Sequence, residues 1–257
     1  MKLLLAILFF IPVTAFAEEW TPPENPDPQT ILSEAQADAR AKHYEVALAK
    51  QIWIHENSLK HNRGFTGVRL SFALNSWHDL AKVYPPAMDR LREARDEASN
   101  KVLEGKQLFK SFHDFVAINR TLDQDSLTVD TFILLDTQDK AAAKKVFRLA
   151  KPALIKGKEY QVCDKYLEPK RSYALMLHGR EANQRLAKNP QIGPQILKFG
   201  NKKFTNDITT LVALLVVNDR KQEAKEIAKS AKAEWDNAAF HAAIDKALEG
   251  KVPTPWP

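Results

Sequence analysis

Two histidine–aspartate dipeptides are the residues of this chain whose types suit chemistry: His78-Asp79 in "SWHDLAKVYPPA" and His113-Asp114 in "SFHDFVAINR". An imidazole beside a carboxylate can ligate a divalent metal or exchange a proton. Taken with His55 upstream, the set His55, His78, Asp79 and Asp114 offers four ligands for a metal-dependent hydrolytic centre. Adjacent residues on a helix point about 100° apart, however, so a dipeptide alone defines no site. Other catalytic spacings are missing. "HENSLKH" lacks the H-E-x-x-H interval, no G-x-S-x-G occurs, and "EGKQ" and "KGKE" lack the flanking residues of a phosphate loop. Cys163 is the one cysteine, set in "EYQVCDKYL", and reads as a small apolar residue on a helix face rather than an activated thiol. No cofactor is expected.

The elements that would position these residues are helical. Apolar residues recur at helical spacing, and no run alternates as a half-buried strand does. The spacing predicts helices over 29–41, 43–61, 65–83, 86–104, 107–122, 126–136, 139–156, 159–167, 170–188, 194–217, 219–233 and 237–249. The 8 glycines of the 257 residues tend to fall between these segments, as turns require, and Pro152 is expected to mark a kink or a boundary.

The first residues, "MKLLLAILFFIPVTAFAEEW", carry Lys2, an apolar run from Leu3 to Val13, and Ala15-Phe16-Ala17. That order is a secretory signal peptide, residues 1–17, cleaved after Ala17. The apolar run is shorter than the ~20 residues of a spanning helix, so no transmembrane segment is expected in the mature chain. The expected location is periplasmic or secreted. A proline-rich leader (18–28), a helical-repeat domain (29–250) and a short tail (251–257) then follow. The formal charge is +6, but lysine and arginine are interleaved with acids along most of the chain. An exported protein of that pattern is a poor candidate for nucleic acid. Acidic peptides or an anionic envelope polymer suit it better.

A repeat is visible inside the helical pattern. Tyr44-x-x-Ala47-x-x-x-Gln51-x-x-Ile54 recurs 33 residues on as Trp77-x-x-Leu80-x-x-x-Tyr84-x-x-Ala87. Tyr160-x-x-Cys163-x-x-x-Leu167 repeats its first part, and Ala224, Ala228 and Ala231 follow the same logic. An aromatic, then a small residue, then a bulky one lets two helix backbones approach and fills the groove between them. On these residues the chain resembles the tetratricopeptide repeat family, in the degenerate form also seen in exported bacterial repeat proteins. The resemblance implies an all-α, irregular right-handed superhelix of antiparallel helix pairs. It also implies a protein- or peptide-binding groove lined by the first helix of each pair. Carried across, the groove positions are Gln36, Arg40, Phe65, Arg69, Phe72, Asp114, Ile118, Arg148 and Lys156, a mixture of cations and aromatics suited to an acidic peptide. The competing assignment for Phe65, Arg69 and Phe72 is two core phenylalanines and a solvated or capping arginine.

The repeat alignment sets His78 and Asp79 between the core positions Trp77 and Leu80, toward solvent. The functional expectation is therefore a non-catalytic scaffold or assembly factor of the bacterial envelope. The alternatives are a hydrolase resembling the all-helical HD-type metal phosphohydrolases, and a binder of an anionic polymer.

Overall fold

The computed structural model describes residues 20–191 and 193–256, and the expected signal peptide and its cleavage point lie outside them. The described chain is all-α, with no strand among these residues. Two short helices, α1 (Pro28–Arg40) and α2 (Tyr44–His61), are followed by an irregular stretch, α3. That stretch is a 3-10 turn (Arg63–Phe65), a short α piece (Thr66–Val68), a π turn (Arg69–Ala73) and a regular helix (Leu74–Ala81). The chain continues through α4 (Pro85–Leu103), α5 (Leu108–Thr121), α6 (Asp125–Gln138), α7 (Lys140–Lys156) and α8 (Tyr160–Asp164). It ends with α9 (Pro169–Leu186), α10 (Gly193–Val217), α11 (Lys221–Glu234) and α12 (Ala238–Leu248). Most of these bounds lie within a few residues of the sequence expectation. Pro152 interrupts nothing and sits inside α7.

Two compact units make up the chain, the first ending at Met88 and the second starting at Asp89. In the first, Ile31, Leu32, Ile54, Phe65 and Ala73 form a small apolar core. The leader contributes to it, because Trp20 packs edge-on against Trp53 at 6.4 Å. Lys50 stands over the Trp20 ring, and Glu34 and Asp38 hold its ammonium at 2.9 and 2.8 Å. In the second unit, one core centres on Phe112, Phe132, Val146 and Leu154 and another on Ile208, Leu211, Ile227 and Phe240.

Four helix pairs share one connection. Helices α1, α5, α7 and α10 each end four residues before the next helix starts. In each three-residue turn the central residue is left-handed: Lys42 (φ 67°), Asp123 (φ 54°), Lys158 (φ 63°) and Asp219 (φ 61°). The last turn residue donates its amide to a carbonyl five residues back. The bonds are His43 to Asp38 (2.9 Å), Gln124 to Asn119 (2.7 Å), Glu159 to Leu154 (2.8 Å) and Arg220 to Leu215 (2.8 Å). This is the Schellman closure, which satisfies carbonyls that the helix end leaves open. The fourth residue of each following helix is then Ala47, Thr128, Cys163 or Ala224, every one with no exposed surface. A small residue there lets the two helices of the pair close on one another. Three of these positions belong to the repeat read from the sequence. Thr128 does not, because it is polar; its hydroxyl is buried as the acceptor of a 3.0 Å bond from Asn119 Nδ2.

Candidate functional site

Of the first His-Asp pair, Asp79 reaches solvent while His78 is half-buried. Trp77 and Leu80 are each 2% exposed, and between them Asp79 is exposed and paired with Lys82 at 2.7 Å. Trp77 donates its indole N–H to the Ala87 carbonyl at 2.9 Å, which fastens the Tyr84-Pro85-Pro86-Ala87 turn. Tyr84 stacks on Tyr44 at 5.6 Å, so aromatics from the two aligned motifs meet within the first unit.

His55 has a different environment. Its ring meets the Trp77 indole edge-on at 5.9 Å. Arg69 Nη1 donates to the His55 carbonyl at 3.1 Å and stands 3.4 Å from His55 Nδ1. Gln51, Ile54, Ala73 and Leu74 complete a crevice around these three side chains with no room for a water molecule. Its function is therefore packing: a buried guanidinium tied to a backbone carbonyl. Among the described residues no group of three or more His, Cys, Asp or Glu side chains is placed to hold a metal ion. Asp114 belongs to the second unit and is itself buried.

The groove positions separate into two classes. Gln36, Arg40, Phe72, Arg148 and Lys156 keep at least part of their surface, and Phe72 is 69% exposed. Phe65, Arg69, Asp114 and Ile118 are buried and cannot meet a partner, which corrects their assignment to the groove. Asp114 and Ile118 lie on the buried face of α5. In α3 the buried stripe runs through Arg69, Leu70, Ala73, Leu74 and Trp77, which puts Arg69 inside and leaves Phe72 to solvent. Arg69, the expected groove cation, is 2% exposed. Lys156 is committed to Asp123 and Asp125, each at 2.9 Å, and those bonds raise its pKa and lower that of Asp123. On α5, Phe109 does not join the apolar face with Phe112 but is 57% exposed beside His113.

Cys163 is inert, as its sequence context implies. Burial pushes its thiol up to about 12, against the opposing influence of Lys151, so it stays protonated. Asp136 is a half-buried carboxylate with a structural task. Burial alone would raise it, but Lys165 (2.7 Å) and the Tyr166 hydroxyl, which donates to it, hold it below the usual carboxylate range.

One arrangement has no counterpart in the sequence reading. Asn206 on α10 binds the chain's own tail through both ends of its side-chain amide. Its Nδ2 donates to the Thr254 carbonyl at 2.9 Å, and its Oδ1 accepts from the Trp256 amide at 3.2 Å. Phe199, two helical turns before Asn206, meets the Trp256 ring edge-on at 5.9 Å. Val252, nearer the start of the tail, packs against both cores of the second unit. The sequence marked residues 251–257 only as a short tail, and nothing in α10 signalled where it would lie.

Comparisons with family models, with curated proteins and with solved structures find no match to this chain.

Proposed function

We propose that this chain is a non-catalytic, tetratricopeptide-like helical-repeat scaffold of the bacterial cell envelope, acting by binding a protein or peptide. The observation that carries the reading is the fourfold helix pair: the same left-handed turn and the same buried small residue, at Ala47, Thr128, Cys163 and Ala224. Such a unit spends one helix face on its pairing and leaves others to present side chains. Exposed aromatics support binding. Phe72 in the first unit and Phe109 in the second are more than half exposed, and large aromatics on a surface are characteristic anchors of protein partners. The sequence of residues 1–17 supports export, and no described helix is long and apolar enough to cross a membrane.

The test is retention of envelope proteins on the purified chain, compared with Phe72→Ser and Phe109→Ser. A discrete partner retained by the parent chain and reduced about fivefold or more by one substitution is the expected result, as for loss of an interface anchor. Metal-dependent phosphoester hydrolysis by the pure chain, abolished by His78→Ala, would overturn the scaffold reading in favour of the hydrolase.

A further inference from the structure

We infer that the Asn206 face of α10 is a peptide-binding site, occupied by the chain's own tail until an extended Pro-x-Pro-aromatic segment of a partner, followed by acidic residues, displaces it. This deepens the scaffold reading and rests on it, but it uses residues that the Phe72 and Phe109 test leaves untouched.

The argument begins with what Asn206 reads. Its amide pairs with one carbonyl and one N–H of the tail backbone, two residues apart, which is how an extended chain presents itself. Such contacts recognise backbone direction and extension rather than the identity of a side chain. Selectivity comes from Phe199, half exposed on the same helix, which meets the one aromatic ring of the tail. Pro253 and Pro255 bias the segment toward the extended polyproline conformation, so a ligand with the same prolines loses little entropy on binding.

The tail's hold is local. Lys251 still bonds to the Lys246 carbonyl and Val252 packs against the two cores, but beyond Val252 the Asn206 pair supplies the only hydrogen bonds to the tail backbone among the described residues. The two prolines have no N–H to offer, and Thr254 is exposed. With Val252 as its anchor, the segment from Pro253 to Trp256 can open locally, independently of global unfolding. Its advantage over a free peptide is tethering, equivalent to an effective concentration on the order of millimolar.

Charge then indicates what would outcompete it. From Thr254 to Trp256 the tail contacts move from Asn206 back toward Phe199, so the tail runs toward the start of α10. Lys202 and Lys198 precede Asn206 at four-residue intervals, on the ridge along which the path continues. Both are exposed, and among the described residues neither is held in an ion pair. The described tail residues, Lys251 to Trp256, carry no side-chain carboxylate. A partner with glutamate or aspartate after the aromatic adds side-chain carboxylates within reach of these two ammonium groups.

The experiment uses the full chain carrying Trp256→Ala and the dye-labelled peptide Val-Pro-Thr-Pro-Trp-Glu-Glu, followed by fluorescence anisotropy. This variant should bind the peptide about tenfold more tightly than the parent chain, whose tethered tail competes. Adding Asn206→Ala should remove most of the binding. A Lys-Lys ending should weaken it about threefold, a difference that shrinks in about 0.5 M salt. As a check without that variant, the fluorine resonance of Trp256 in the 5-fluorotryptophan-labelled parent chain should shift as the Glu-Glu peptide saturates it. The inference is overturned if the Trp256→Ala chain, with an unchanged circular dichroism spectrum, does not bind the peptide and the Trp256 resonance stays fixed. Equal binding of a peptide with alanine for tryptophan would also overturn it. So would a concentration-dependent dimer that requires Trp256, because the occupant would then be a second copy's tail.

Discussion

The α7–α8 connection and the α2–α3 connection join successive helices of one chain by different physics. Between α7 and α8, three residues suffice: Gly157, left-handed Lys158 and Glu159, whose amide closes the Schellman bond. Cys163 then seats in the partner helix with no exposed surface. Between α2 and α3, Asn62 is extended and its side chain accepts the Gly64 amide, after which the helix starts as a 3-10 turn and passes through a π turn. Across that junction Arg69 reaches from the π turn to the His55 carbonyl on α2. The first connection is held by backbone and apolar contact, repeats along the chain, and tolerates many sequences. The second adds buried polar ties, Arg69 to the His55 carbonyl and Gln51 to the Ser76 hydroxyl, to the apolar contact of Ile54 with Phe65 and Ala73, and it occurs once. A repeat survives as a pattern where its joints depend on size; it becomes irregular where a joint depends on particular hydrogen bonds.

The sharpest way to break this contrast is Arg69→Ala. It removes a buried long side chain and leaves the His55 carbonyl without that donor, so a loss of about 3 kcal/mol is expected. Arg69→Met, which keeps the apolar stem but not the donor, should lose less. Urea unfolding of both variants measures the difference. Equal losses would mean that Arg69 acts by volume, and that its hydrogen bond does not set the two connections apart.

The same contrast explains what was legible in the sequence. The helices were, because apolar periodicity is a local property, and the small-residue positions Ala47, Cys163 and Ala224 were, because pairing imposes their size. Thr128 occupies the equivalent position but was missed, since a threonine is read as polar until its partner Asn119 is known. Arg69 and Phe72 were both placed in the groove on the resemblance to a tetratricopeptide repeat, but they part company in α3, Arg69 buried and Phe72 exposed, and a π turn leaves no mark on composition. Asp114 was read as accessible, yet it is 8% exposed. The Asn206 contact was the least legible, joining residues about fifty apart in sequence with no periodic relation between them.

A size-based joint should fail by crowding. Cys163→Leu puts a larger side chain where the structure leaves no surface, and overpacking of this kind costs about 1–3 kcal/mol. Cys163→Ala, which preserves the close approach, should cost less. The parent thiol, held protonated with its pKa pushed up to about 12, should resist iodoacetamide until the chain unfolds. Rapid alkylation of the folded protein would show that the α7–α8 pair opens locally, and would weaken the claim that its small residue is sealed.

The smallest expected effect tests the turn itself. Lys158 has φ 63°, a conformation that costs a residue with a Cβ about 1–2 kcal/mol. Glycine avoids that cost but brings extra unfolded-state entropy worth roughly 0.5–1 kcal/mol. Lys158→Gly should therefore raise stability by up to about 1 kcal/mol, and Asp219→Gly, in the matching turn of the α10–α11 pair, by a similar amount. Glycine at Asn62, whose backbone is extended rather than left-handed, gains no such relief and also loses the cap on Gly64, so it should destabilise. Opposite signs at Lys158 and Asn62 in thermal unfolding would locate the difference between the two connections in the backbone. Matching signs would instead assign it to the buried polar ties.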